Sequence, residues 1–164
     1  GNIAISIAKN NEKIKVFAAE VSEKALDLAK ENARKHRVDK RIFFIESDLL
    51  SNIGASPDII VTNLPYIPSE RIPYLDSSVK DFEPLIALDG GPDGFNLYRK
   101  LFAQIKEKGW KPKLIVGEID YTHGELAVNE ALKYFPEAQI EVKTDLARKQ
   151  RILVIQQEAP LSWL

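Results

Sequence analysis

Two apolar periods interleave along this chain, one of about 3.6 residues and one of about two, and together they predict alternating helices and strands. Ile3, Ala4, Ile5, Ile7 and Ala8 predict a helix from Asn2 to about Lys9. Ile14 to Ala19 predicts a strand that ends at Glu20. Ser22 is placed to cap the next helix, with Glu23 in its first turn, and Ala25, Leu28, Ala29, Asn32 and Ala33 are expected to form its packed face. Arg41 to Ile45 predicts a second strand closed by Glu46-Ser47-Asp48, and Asp58 to Thr62 a third. From Ile67 to Gly94 the periodicity stops and Pro and Gly predominate, leaving room only for short helical pieces. A loop of that length inside a compact domain is usually functional. Phe95 to Lys108 then predicts a helix ended by Gly109, Leu114 to Val116 a strand leading to Glu118, and Thr122 to Tyr134 a helix. Ala138 to Lys143 and Arg151 to Gln156 stand close enough to pair as an antiparallel hairpin.

This order predicts an α/β fold with a mostly parallel, doubly wound sheet whose edge is made antiparallel by the terminal hairpin. At 164 residues the chain fits one domain, 1–164. A domain of this size buries roughly 68–70% of its unfolded surface and needs no disulfide or metal staple. There is no cysteine, so disulfides and thiolate metal sites are excluded, as suits a reducing compartment. Lys and Arg number 23 against 24 Asp and Glu, so no nonspecific nucleic-acid footprint is implied. No apolar stretch approaches the roughly 20 residues of a spanning helix, and no signal peptide is visible. A soluble cytoplasmic protein without membrane contact is expected. The chain opens at Gly1, without Met and within a helical pattern, which suggests a fragment.

The most informative residues are Asn63-Leu64-Pro65-Tyr66, directly after the β-branched run Asp58-Ile59-Ile60-Val61-Thr62. Open α/β sheets bind ligands at the carboxyl ends of their strands. Asn63 brings a carboxamide oxygen, Leu64 a backbone carbonyl, and Tyr66 a flat apolar face with a polar tip. Two acceptors under an aromatic ring suit a planar NH2 group. A plain strand-to-loop turn fits the same residues equally well, since Asn and Pro are ordinary turn formers.

Other positions carry weaker signals. Glu20 lies about 20 residues beyond Gly1 at a strand end, where nucleotide-binding α/β folds place an acid for ribose hydroxyls. A solvated strand-end acid is its alternative reading. Asp48 ends the next strand and reads equally as a ligand group or a turn aspartate; Leu49 could pack on a flat ring or join the core. Gly90-Gly91-Pro92-Asp93-Gly94 lacks the order of a phosphate loop and reads as a flexible hinge. Glu83-Pro84 could brace the tetrad loop, though an exposed acid is the simpler reading. His36 and His123 lack partners for catalysis or metal binding and read as surface residues. Lys35, Arg37, Lys40 and Arg41 suit a helix C-terminus without any ligand.

Taken together, these motifs resemble the release-factor glutamine methyltransferases (the PrmC/HemK family), Rossmann-like class I enzymes dependent on S-adenosylmethionine. The family pattern Asn-Pro-Pro-Tyr-Ile-Pro is matched by Asn63-Leu64-Pro65-Tyr66-Ile67-Pro68. Its Glu-Pro-x-x-Ala-Leu-x-Gly-Gly-x-Asp-Gly segment is matched by Glu83 to Gly94, with Tyr98-Arg99 beyond. Asp145-Leu146 and Arg151 fit its last hairpin, so the resemblance runs over nearly the whole chain. The tetrad is common to many amino-methyltransferases; the Glu83 to Gly94 segment is far more specific.

The resemblance implies that Gly1 matches the last glycine of the cofactor loop, that Glu20 holds the cofactor ribose, and that Leu49, beside Asp48, lies against its adenine. Asn63 would touch cofactor and substrate, and Leu64, Pro65 and Tyr66 would complete the substrate pocket. The implied reaction moves a methyl group to the side-chain N5 of the glutamine in a release factor's Gly-Gly-Gln loop, without direct nucleic-acid contact. Two departures stand out. The family's first strand, central in its sheet, has no counterpart here, and neither do the earlier loop glycines and the helical partner-gripping domain. A chain lacking them is expected to bind cofactor poorly. Leu64 replaces a proline, which leaves the backbone acceptor in place and relaxes the chain by about 0.4–1 kcal/mol. That leucine is typical of the rRNA adenine dimethyltransferases, so an adenine-N6 methyltransferase of rRNA or DNA is one alternative. An inactive Rossmann-like fragment is the other.

Overall fold

A computed structural model describes residues 1–157. The chain divides into two compact units, Gly1–Ser56 and a second beginning at Pro57.

In the first unit, helix α1 (Asn2–Asn10) leads into strand β1 (Val16–Glu20), helix α2 (Glu23–Lys35) and strand β2 (Ile42–Glu46). β1 and β2 pair in parallel, with Val16 opposite Ile42 and Glu20 opposite Glu46. Ser22 Oγ accepts the Ala25 N–H at 3.3 Å, the expected N-cap. The apolar face of α2 differs from the sequence expectation. Leu26, Ala29 and Ala33 are buried, while Ala25 and Leu28 are exposed. At i, i+3 and i+7 the buried three share one stripe, and Leu28 lies about 200° around the helix from Leu26. Ile5 and Ala8 of α1, Ala33, Val38 and Ile42 form the core here, packed against Ala4, Val16, Ala18 and Phe44. The alternate strand positions leave Phe17 and Phe43 stacked at 5.1 Å between centroids and exposed.

The second unit contains strand β3 (Ile59–Thr62), a single turn α3 (Ser77–Lys80), helix α4 (Asn96–Glu107), strand β4 (Leu114–Glu118), helix α5 (Gly124–Tyr134), and strands β5 (Gln139–Thr144) and β6 (Gln150–Gln156). Their sheet order is β3-β4-β6-β5. β3 and β4 are parallel; β6 runs antiparallel between β4 and β5, so the predicted hairpin forms the antiparallel edge. The parallel pairs occur in two separate sheets, and among the described residues β1 and β3 each have a ladder partner on one side only. The core of this unit is aromatic: Phe95, Tyr98 and Phe102 of the α4 region are fully buried, with Ile115, Ile119, Leu153 and Ile155 beneath. Phe95 and Tyr98 stack at 4.8 Å, and Phe102 meets Phe135 edge-on at 5.3 Å. No described helix is long and apolar enough to cross a membrane.

Candidate active site

The tetrad Asn63–Tyr66 has no regular secondary structure and hangs between two backbone anchors. On one side β3 ends where Thr62 pairs with Gly117 of β4. On the other, Ile67 forms an isolated parallel bridge with Asp89. Ile67 N–H donates to Leu88 O at 3.1 Å, Gly90 N–H to Ile67 O at 2.9 Å, and Ser69 N–H to Gly91 O at 2.9 Å. Ser69 Oγ and the Gly91 N–H both bond Asp89 Oδ1, at 2.7 and 2.8 Å, and these bonds lower the Asp89 pKa.

The Gly90–Gly94 stretch is therefore a packed brace and not the flexible hinge expected from its composition. Gly94 makes the reason plain. Its φ is +77°, and a Cβ there would collide with the Tyr66 carbonyl oxygen and the His123 ring. Bracing comes from Leu88 to Gly94, whereas Glu83 is exposed and makes no such contact.

Within the tetrad, Asn63 is exposed and its carboxamide has no hydrogen-bond partner among the described residues. Leu64, Pro65 and Tyr66 are half-buried. The Tyr66 hydroxyl donates to Glu118 Oε1 at 3.1 Å. Burial, reinforced by the Glu118 charge, raises the Tyr66 pKa, so the phenol stays protonated at neutral pH. The Tyr98 hydroxyl donates to the Glu118 carbonyl at 2.6 Å, and burial pushes its pKa up as well.

Sequence reasoning missed a set of polar ties behind the tetrad. His123, expected at the surface, is 4% exposed, edge-on to Phe95 at 5.9 Å, with Nδ1 lacking a partner. Burial lowers its pKa against the opposing pull of Asp120 and Asp93, which keeps the ring neutral. Asp120 is also buried; it accepts the Thr122 N–H at 2.9 Å and hydroxyl at 2.6 Å, and pairs with Arg71 at 3.3 Å. Burial works to raise its pKa, but these partners outweigh it and the net shift is downward. Arg99 bridges Asp93 and the largely buried Glu130 of α5. The Asp-to-Gly punctuation at Asp93-Gly94 and the Tyr98-Arg99 pair were visible in sequence; that they meet was not. His36 is exposed, as expected.

In the first unit the cofactor candidates sit at adjacent strand ends. Ser47 N–H donates to the Glu20 carbonyl at 2.9 Å, carrying the parallel pairing one step past the strands. Glu20 Oε1 accepts the Ser22 N–H at 3.0 Å, which leaves Oε2 without a partner among the described residues. Asp48 is exposed and opens a turn, its carbonyl accepting the Ser51 hydroxyl at 2.7 Å. Leu49 is half-buried in a left-handed conformation, φ +53°, and its carbonyl accepts the Ser47 hydroxyl at 2.9 Å. A non-glycine residue held there costs about 1–2 kcal/mol, which the surrounding turn must offset. Gly1 caps α1, and a Cβ on it would approach the Ala29 Cβ to 2.6 Å, so the close helix contact requires glycine. A carboxylate oxygen for hydroxyls and an apolar neighbour for a ring fit an adenosyl ligand. No group of three or more His, Cys, Asp or Glu suited to a metal occurs among the described residues.

Residues 1–73 match the family model of the methyltransferase small domain. The release factor glutamine methyltransferase of Bacillus cereus is 32% identical over 161 residues, 96% of this chain and 56% of that protein. A second relative of the same name, from Clostridium acetobutylicum, is 35% identical over 94% of the chain and 55% of its own length. The chain thus spans about half the length of the curated relatives it matches. Among solved structures, a ribosomal protein L11 methylase from Lactobacillus delbrueckii subsp. bulgaricus superposes with a TM-score of 0.65 at 20% identity, over 97% of this chain and 65% of that one. The fold is similar to that of this methylase, and in sequence the chain is similar to the release factor glutamine methyltransferases along about half of their length.

Proposed function

We propose that this chain carries the methyl-transfer site of a protein-(glutamine-N5) methyltransferase acting on a peptide chain release factor, with S-adenosylmethionine as methyl donor. One observation carries the reading. Asn63 presents an unengaged carboxamide at the carboxyl end of β3, while the backbone on either side of the tetrad is tied down. A rigid frame around one free polar group is what orienting a ligand requires.

Glu20 accepts hydrogen bonds from the ribose hydroxyls, Leu49 beside Asp48 lies against the adenine, and Gly1 keeps the start of α1 close-packed. Bound S-adenosylmethionine supplies a methyl carbon made electrophilic by a sulfonium. A glutamine amide nitrogen is a poor nucleophile because its lone pair is delocalised into the carbonyl. Asn63 Oδ1 and the Leu64 carbonyl each accept a hydrogen bond from one of its N–H groups, aiming the nitrogen and stabilising the positive charge that would grow on it. The new N–CH3 bond would replace the S–CH3 bond, whose electron pair stays on sulfur, and the methylated nitrogen would lose one N–H proton to solvent. Tyr66 and Pro65 wall the amide plane. The release-factor substrate is supported by the names of the relatives. The Gly-Gly-Gln loop of the release factor is the proposed target.

Asn63→Ala in the complete protein tests the reading. Its kcat is expected to fall by about 10² or more, the cost of removing one preorganised polar partner, with the protein still folded. Unchanged methyl transfer to a release factor, or faster transfer to rRNA adenine, defeats it.

A further inference from the structure

Glu118 is the last residue of β4, and two tyrosines from different parts of the second unit converge on it. Tyr66 bonds its carboxylate and Tyr98 its carbonyl, at 3.1 and 2.6 Å. Its own backbone is fixed, since Glu118 pairs with Ile152 of β6 and the following N–H, of Ile119, donates to Arg151 O at 2.8 Å. Gly117, one residue earlier, allows this convergence: a Cβ there would collide with the Tyr98 hydroxyl. Tyr66 is otherwise a half-buried ring with two free torsions at the end of an irregular segment. Its phenol has a single hydrogen-bond partner among the described residues, and that partner is anchored to the centre of the sheet.

We infer that Glu118 is a positioning residue for methyl transfer, its carboxylate holding the Tyr66 ring in the orientation that walls the substrate amide. The inference rests on the proposed function, because it assigns Glu118 no contact with substrate or cofactor. Committing the phenol proton to Glu118 also means that Tyr66 contributes its ring face to the amide and not a hydrogen bond from its hydroxyl. Asp120 and Arg151 face the same phenol, and neither is hydrogen-bonded to it.

The test compares Glu118→Ala, Glu118→Gln, Tyr66→Phe and the Glu118→Ala/Tyr66→Phe double variant in the complete protein, with Asn63→Ala alongside. For Glu118→Ala, kcat is expected to fall roughly ten- to hundredfold, as loss of a hydrogen bond to a charged group allows. The KM for S-adenosylmethionine should be unmoved. Glu118→Gln, whose amide oxygen still accepts, should recover most of the loss. The double variant should be no slower than the worse single one, because both remove the same bond. Multiplying losses in the double variant would overturn the inference by showing that Glu118 acts by another route. So would a Gln variant as slow as the Ala variant. If Glu118→Ala fails to fold, Glu118→Gln and Tyr66→Phe decide by the same criterion, Gln fast and Phe slow. Full turnover by Asn63→Ala would reject the proposed function itself; its loss together with full activity of Glu118→Ala would reject only this inference.

Discussion

Arg99 closes on Asp93 with two parallel hydrogen bonds, Nη1 to Oδ1 at 2.9 Å and Nη2 to Oδ2 at 2.6 Å. The same guanidinium reaches Glu130 of α5 through Nε at 3.2 Å, so one side chain ties the glycine brace, α4 and α5 together. Planar geometry makes this a task for arginine; a lysine offers a point charge in place of a fork.

Arg99→Lys should therefore cost stability nearly as much as Arg99→Ala. We expect about 1–2 kcal/mol by chemical denaturation, a figure kept low because the Asp93 side chain is partly solvated. The Asp93 carboxyl, held first by its Arg99 hydrogen bonds, sits at about 2 against an ordinary 3.8. A folded-state pKa below the unfolded one stabilises the protein above the unfolded value and loses that contribution as the proton goes on. Stability of the unaltered protein should fall from about pH 4 toward about pH 2, and in Arg99→Ala this part of the acid slope should shrink, with only the Phe95 N–H and other backbone bonds left to hold the carboxylate.

Gly94→Ala should damage the tetrad from behind. The left-handed backbone disfavours any side chain, and the added Cβ meets the Tyr66 carbonyl oxygen and the His123 ring. A loss of about 1–3 kcal/mol in stability is expected, together with a fall in methyl transfer that persists well below the melting temperature. A thermal melt and an initial-rate assay at low temperature separate the two effects.

His123 should behave as a buried neutral imidazole. Burial depresses its pKa below the ordinary 6.5. The unfolded chain then takes up a proton that the folded one refuses, so stability should decline as pH drops below about 6.5 and level off beneath the folded pKa. His123→Asn should flatten that part of the pH–stability curve, and a histidine-selective NMR titration should place the folded pKa of His123 below 6.5.

The order of elements could be read from the sequence because local rules decide it. A β-branched run followed by Asn-Leu-Pro-Tyr ends a strand, Ser22 caps a helix, and Gly109 stops one, each through interactions within a few residues. The segment Glu83 to Gly94 stood out as a unit only through its resemblance to a family motif. Which face of α2 is buried was not: Leu26 and Leu28 are equally apolar, and only the position of the sheet beneath selects one of them.

The amino-acid sequence by itself determined the strand-and-helix order and the tetrad's place at a strand end. Tertiary structure alone decided that Gly90–Gly94 is a brace, that His123 is buried, and that Glu118 meets Tyr66 across 52 positions of chain. Pairings of that kind depend on which strands lie side by side, and no local preference of either residue encodes it.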